Sequence, residues 1–379
     1  MSVVINPFVV SGKIPEGYFC DRVMESSELE KSLTNQMNVV LTSSRRMGKT
    51  SLVDYVFNRP SIKEEYITIS VDILQTTTFR EFIFALGTAV FDAVATRSGK
   101  WRKLFITYLK SLSGSFGYDP VQNTPTFDIK LGDIQLPEFT LREIFQYLDS
   151  VDKRCLIVID EFQQITRYPE KNVEEILRTH IQKLSNANFV FSGSRRRLME
   201  EMFFSAKRPF YQSAKPLRLE AIDEDVYFDF VSTHFQKAGK AISRDAFDGV
   251  YKTFWGVTLY VQRLMKDAYI ETPAGMTCDV AMVNRLIESY ISENDSHLRE
   301  QLSFITEAQK ELLYAIHAER QVQSITSSAF NKKHRLRSPS STQSAALKLL
   351  EYDLITRKEK TYSFSDPLLS LWLDKRNHN

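Results

Sequence analysis

Met37-Asn38-Val39-Val40-Leu41-Thr42-Ser43-Ser44-Arg45-Arg46-Met47-Gly48-Lys49-Thr50-Ser51 is the stretch on which the fold turns. Met37 to Thr42 is an apolar run of strand length. Ser51-Leu52-Val53-Asp54-Tyr55-Val56 continues as a helix. The residues between them match a phosphate-binding loop, which requires a strand before it and a helix after it. In such a loop, backbone N–H groups and the helix N-terminus face phosphate oxygens. Ser44, Arg45, Arg46, Met47, Gly48, Lys49, Thr50 and Ser51 are therefore candidate nucleotide-binding residues. Lys49 is placed to reach the β- and γ-phosphates, and the Thr50 hydroxyl to ligate Mg²⁺. The pattern's second glycine is present as Gly48, but Ser43 stands where the first is expected. A serine fits there if its φ stays negative or the strain is tolerated.

A loop of this kind needs an acidic partner for its metal. Cys155-Leu156-Ile157-Val158-Ile159 is apolar without alternation and ends in Asp160-Glu161. This is the pattern of a strand buried on both faces, as in a parallel sheet, and ligands bind at the carboxyl ends of such strands. Asp160 is the candidate metal ligand beside Thr50, holding Mg²⁺ through water, since Mg²⁺ keeps several waters.

 Glu161 is the candidate catalytic base, placed to orient or deprotonate the attacking water. A strand that merely ends in two acids at a solvated rim is the alternative, and it weakens once a phosphate loop lies upstream. A third strand, Asn188-Phe189-Val190-Phe191-Ser192-Gly193-Ser194, runs into Arg195. Arg195 is a candidate catalytic sensor of the γ-phosphate, because its guanidinium presents a fork of donors. With Arg196 and Arg197 it reads equally as a solvated basic turn.

Taken in order, these stretches resemble the archaeal ATPase group, within the wider AAA-plus and STAND class of P-loop ATPases. The chain looks most similar to the AAA-family ATP-binding proteins of Bacteroidetes. The resemblance begins at Asn6-Pro7-Phe8 and Phe19-Cys20-Asp21-Arg22, and runs through both motifs to Ser192-Gly193-Ser194 and Arg208-Pro209-Phe210-Tyr211. It continues through Phe254-Trp255-Gly256-Val257-Thr258-Leu259-Tyr260-Val261-Gln262 and ends at Asp366-Pro367. It implies ATP and Mg²⁺ as ligands and slow hydrolysis, and it puts Asp21 and Arg22 near the nucleotide base. Three positions depart from the family: Ser43, Ser213 where an arginine is common, and Thr258 where some relatives carry proline. The last two put a trans-acting arginine finger and the base contact in doubt, with Arg208 and Lys215 as substitute fingers.

Composition sets the outer limits. A chain of 379 residues, 43% apolar and 25% charged, is an ordinary globular protein of two or three domains. A net charge of +2 gives the whole chain no strong pull on polyanions. No apolar run is long enough to span a bilayer, and the first residues do not read as a signal peptide. Cys20, Cys155 and Cys278 are far apart, so neither a disulfide framework nor a zinc cluster is expected. A cytoplasmic protein without a membrane partner fits these features.

The rest of the chain reads as α/β followed by all-α. Residues 66–73 form a strand ending at Asp72, a turn residue, and Thr78 to Val94 an amphipathic helix. Residues 111–137 break the rhythm as an insertion, with a hairpin expected over Thr126 to Leu136. Helices are expected over 141–150, 171–185 and 196–204. These features predict a P-loop NTPase parallel sheet over 1–220. A wholly helical lid follows over 221–295, with Phe254, Trp255 and Tyr260 in its core, and a winged helix–turn–helix over 296–379. Ser340 to Glu351 is the recognition helix, with capping hydroxyls at Ser340-Ser341-Thr342. From Ser296 onward, 13 Lys and Arg stand against 9 Asp and Glu. Lys332, Lys333, Arg335 and Arg337, with His334, precede the recognition helix and are candidate DNA contacts. That helix offers only Gln343 and Lys348 to read bases.

The leading expectation is a Mg²⁺-ATP-dependent switch ATPase that also engages a protein partner. The alternatives are an ATP-regulated DNA-binding protein and a nucleotide-binding scaffold without turnover.

Overall fold

The structure is a computed structural model and describes residues 6–95, 99–111, 116–119, 124–127 and 130–377. The chain divides into two compact units, Lys13–Glu220 and the segment through Gly12 with Ala221 onward.

In the first unit the apolar runs become strands and the amphipathic segments cover them. In chain order the elements begin with α1 (Val23–Thr34), β1 (Val39–Thr42), α2 (Lys49–Phe57), α3 (Pro60–Lys63), β2 (Ile67–Asp72), α4 (Phe79–Ala95) and α5 (Gly99–Tyr108). They continue with β3 (Phe116–Asp119), β4 (Thr124–Phe127), α6 (Pro137–Ser150), β5 (Cys155–Asp160), α7 (Val173–Lys183), β6 (Ala187–Gly193), α8 (Arg196–Phe204) and β7 (Lys215–Arg218). Five strands form one parallel sheet in the order β2-β5-β6-β1-β7. Successive residues of a strand point to opposite faces, and in the central strands β1, β5 and β6 both faces are buried. Ile157 and Ile159 of β5 enter one core with Phe189 and Phe191, whereas Leu156 and Val158 enter the other with Val39 and Leu41. This is why these runs carry no polar alternation.

The sheet order sets the site. β6 separates β5 from β1, so the carboxyl ends of the three strands lie side by side. Register pairs Thr42 with Gly193 and Asp72 with Asp160 along that edge.

The insertion differs from expectation. Its hairpin is β3 with β4, from Phe116 to Phe127, rather than Thr126 to Leu136. Further on, the Asp133 carboxylate accepts the Lys130 N–H at 2.9 Å and closes a tight turn over Leu131–Asp133. Pro137 then starts α6, four residues ahead of the expected 141, because proline suits the first helical turn. Residues 112–115, 120–123 and 128–129 lie outside the described residues.

The second unit contains α9 (Glu224–Lys237), β8 (Ala241–Ile242), α10 (Arg244–Thr253), α11 (Thr258–Glu271), β9 (Thr277–Cys278), α12 (Val280–Glu293) and α13 (Asp295–Ser303). It ends with α14 (Glu307–Glu319), β10 (Gln321–Val322), α15 (Ser328–Lys333), α16 (Pro339–Glu351), β11 (Ile355–Lys358), β12 (Thr361–Phe364) and α17 (Pro367–Asn377). The helical part is not wholly helical, since β8 and β9 pair in parallel. Phe254 and Tyr260 are buried as expected, but Trp255 is 48% exposed in a left-handed turn with Gly256. A Cβ on Gly256 would lie 2.8 Å from the Tyr251 ring, so glycine is required there by space as well as by φ. The N-terminal segment belongs to this unit. Phe8 is fully buried against Phe230, Phe235 and Tyr269, and the Asn6 amide donates to the Lys266 carbonyl at 3.0 Å.

The C-terminal part is a winged helix, with α15 and α16 as its helix–turn–helix and an antiparallel sheet in the order β10-β12-β11. The cap of α16 is Ser338 rather than the three hydroxyls after it: its Oγ accepts the Ser341 N–H at 3.2 Å. Pro339 at the first position has no N–H to satisfy, which moves the cap back one residue. Thr342 is instead buried, donating to Asn331 at 2.8 Å. Among the described residues, no helix is long and apolar enough to cross a membrane.

Candidate functional site

The loop after β1 turns on two left-handed residues, Arg46 (φ 66°) and Gly48 (φ 89°). Ser43 is not among the residues with positive φ, which is why the first glycine of the motif can be absent. Its hydroxyl bonds the Ser44 carbonyl at 2.6 Å and receives the Lys49 ammonium at 3.3 Å. Lys49 opens α2 and is 7% exposed, so its charge is held inside the loop. Ser44, Arg45, Arg46 and Thr50 are exposed, Met47 is buried, and Gly48 and Ser51 are half-buried.

The Thr50 hydroxyl donates to Asp160 at 2.9 Å, spanning the width of β6. The other Asp160 oxygen accepts the Ser192 hydroxyl at 2.7 Å and the Glu161 N–H at 3.0 Å. Glu161 sits in the left-handed region at φ 55°, a conformation costing a non-glycine residue roughly 1 kcal/mol or more. Its carboxylate accepts the Ser194 hydroxyl at 2.8 Å and the Gln163 amide. Ser192 of β6 and Ser194 just past it thus hold two consecutive acids, Asp160 at the end of β5 and Glu161 after it.

Two more acids border this edge. Burial, then the negative charge of Asp160, pushes the Asp54 carboxyl above its usual range, with Lys13 opposing. Asp72 is raised chiefly by burial, opposed by the Leu74 N–H, with Asp160 and Glu161 adding to the rise. The Leu74 N–H bond, at 2.8 Å, is the turn expected of Asp72.

Other candidates lie apart. Asp21 and Arg22 are both left-handed and precede α1. Arg22 is 5% exposed, and its guanidinium reaches Glu25 at 2.8 Å and the Glu220 carbonyl at 2.7 Å. Its geometry is that of a staple within the unit. Arg195 follows Ser194 directly and caps α8 in sequence, half-buried. Of the two substitute fingers, Arg208 pairs with Glu174 at 2.6 Å and Lys215 pairs with Glu28. Ser213 turns its hydroxyl to the Phe210 carbonyl at 2.6 Å. Ser192 as holder of Asp160, and Ser194 and Gln163 as holders of Glu161, are not apparent from single motifs. The signal available for them is the pair of serines two apart at the end of an apolar strand, which share a face.

In the winged helix, Lys333 and His334 both contact Glu319, the latter at 2.9 Å. Lys332, Arg335 and Arg337 line an open pocket of about 310 Å³ together with Asn331 and Ser338 at the start of α16. Gln343 is exposed on α16, and Lys348 pairs with Glu351 at 2.8 Å. Two bonds reach this domain from the helices before it: the Tyr260 hydroxyl of α11 donates to Asp366 at 2.7 Å, and the Trp372 indole N–H donates to Asp295 at the start of α13 at 2.8 Å.

A parallel sheet of this order, a phosphate loop after β1 and a C-terminal winged helix define a P-loop NTPase fold with an appended winged helix. A family described as a probable winged helix domain matches residues 296–375. Among solved structures, the Walker-type ATPase of Pyrococcus abyssi is similar with a TM-score of 0.69 and 18% identity, over 97% of this chain and 99% of that one. The ORC2 protein of Aeropyrum pernix, solved in ADPNP–ADP complexes, is similar with a TM-score of 0.58 and 12% identity, over 99% of both chains. No curated protein is similar enough in sequence to match.

Proposed function

We propose that this chain is a Mg²⁺-dependent ATPase that works as a conformational switch. The observation that carries the proposal is the Thr50–Asp160 hydrogen bond, which joins the phosphate loop to the acidic strand across β6. A hydroxyl and a carboxylate form the hard oxygen set that suits Mg²⁺, and Asp54 and Asp72 add negative charge around it. Thr50 and Asp160 would hold the ion, which when bound neutralises phosphate charge. Lys49 and the loop N–H groups bind the β- and γ-phosphates. Glu161 takes the proton of the attacking water. Ser44 to Ser51 enclose the phosphates, and Arg195 is positioned in sequence to sense the γ-phosphate. The capture of a fold relative with ADPNP and ADP supports the nucleotide class.

The switch runs through the second unit. We take residues 221–295 as the lid and 296–379 as the winged helix. Tyr260–Asp366 and Trp372–Asp295 couple the two, so a lid displaced by γ-phosphate loss carries the winged helix with it. The test is nucleotide binding and turnover in Lys49→Ala and Glu161→Gln. The first variant should lose ATP binding, and the second should bind ATP without hydrolysing it. An Lys49→Ala protein that binds ATP like the wild type would remove the site.

A second reading has one observation in its favour: the pocket lined by Lys332, Arg335 and Arg337 at the start of α16. Cations beside a helix N-terminus suit a DNA phosphate. Duplex binding that falls steeply with salt, and weakens when these residues and Lys333 are neutralised, would support it. No binding at low salt would end it.

A further inference from the structure

We propose that Gln163 is a positioning residue that, with Ser194, fixes the Glu161 carboxylate for proton abstraction; this rests on Glu161 being the base. Both donors reach the same carboxylate oxygen, Oε2. Both are enclosed: Gln163 is 4% exposed and Ser194 6%. They approach from different elements, Gln163 from the turn after β5 and Ser194 from the end of β6. Two donors of fixed origin confine the carboxylate to one orientation, which neither could do alone.

The cost of keeping Gln163 there points the same way. Its Oε1 is buried with no hydrogen-bond partner. An orphaned buried acceptor is unfavourable, and an apolar side chain of equal size would avoid it. What the amide provides in return is the bond to Glu161. Space has been left for it as well. A Cβ on Gly193 would overlap Gln163 Oε1 and lie 2.7 Å from Met199 Cγ. Gly193 does not have a positive φ, so its glycine is explained by this close approach. Ser192-Gly193-Ser194 therefore reads as one device: a serine for Asp160, a gap for Gln163, and a serine for Glu161.

The experiment is ATP turnover and equilibrium ATP binding in the full chain for Gln163→Met, Ser194→Ala, Glu161→Gln and the Gln163→Met/Glu161→Gln double variant. Met matches Gln in volume and removes the donor without burying a new polar group. Loss of a hydrogen bond to a charged group predicts a fall in kcat on the order of tenfold for Gln163→Met, with ATP affinity held within about twofold. In the Glu161→Gln background the same change should have no further effect on kcat. If Glu161→Gln turns over ATP normally, the assignment of the base fails. If Glu161→Gln is inactive but Gln163→Met keeps wild-type kcat, or loses ATP affinity in step with kcat, the positioning role alone is overturned.

Discussion

The phosphate-loop edge and the basic face of the winged helix carry their charge in opposite ways. At the loop, Lys49 is buried, Thr50 and Asp160 are joined, and Glu161 is held by Gln163 from its own turn and Ser194 from the end of β6. At the winged helix, the cations are displayed on a surface, and Lys333 and His334 already share Glu319. A preorganised polar site loses little freedom when its ligand arrives, whereas an exposed basic patch works through long-range, salt-screened attraction. The first arrangement suits chemistry on one small ligand, and the second suits a polyanion bound loosely.

Several substitutions would break or sharpen this contrast. The largest effect is expected at the loop: Lys49→Ala should lose ATP binding, since it removes charge-assisted bonds from an enclosed site; isothermal titration would measure it. Next, neutralising Lys332, Lys333, Arg335 and Arg337 together should weaken duplex binding and flatten its salt dependence by about one unit of slope per lost phosphate contact. Unchanged ATP turnover in that variant would keep the two regions separate. Gly193→Ala should lower stability by about 1–3 kcal/mol, read by denaturant unfolding, because the added methyl meets Gln163 and Met199. Tyr260→Phe should leave ATP binding intact while costing about 1 kcal/mol of stability in the second unit, from loss of the bond to Asp366. The smallest effect is expected for Ser43→Gly, within about 0.5 kcal/mol, since Ser43 needs no left-handed backbone.

Much of the fold was legible because its signals are local. Cys155 to Ile159 has no polar alternation, which only a strand covered on both faces needs, and Gly48, the glycine of the phosphate loop, has a left-handed φ. In the winged helix, the recognition helix expected over Ser340 to Glu351 is α16, Pro339–Glu351. The misses came from competing local contacts: the Asp133 turn displaced the expected hairpin, Pro339 moved the helix cap to Ser338, and Gly256 turned Trp255 outward. The candidate site was legible only in part. Lys49, Thr50, Asp160 and Glu161 belong to motifs, but what holds the acids does not. Ser192 and Ser194 act through contacts made only when β6 is placed beside β5, and strand order is not written in either strand, whereas Gln163 reaches Glu161 within the turn after β5. Arg22 shows the converse, a residue singled out by resemblance whose guanidinium is engaged by Glu25 and the Glu220 carbonyl.

The most direct test of the central claim is a single-turnover assay with radiolabelled ATP and Mg²⁺, comparing the wild-type chain with Glu161→Gln. The account predicts that the wild type converts its bound ATP to ADP while Glu161→Gln retains ATP unhydrolysed with comparable affinity. Hydrolysis by Glu161→Gln at the wild-type rate, or no ATP bound by either protein, would contradict it.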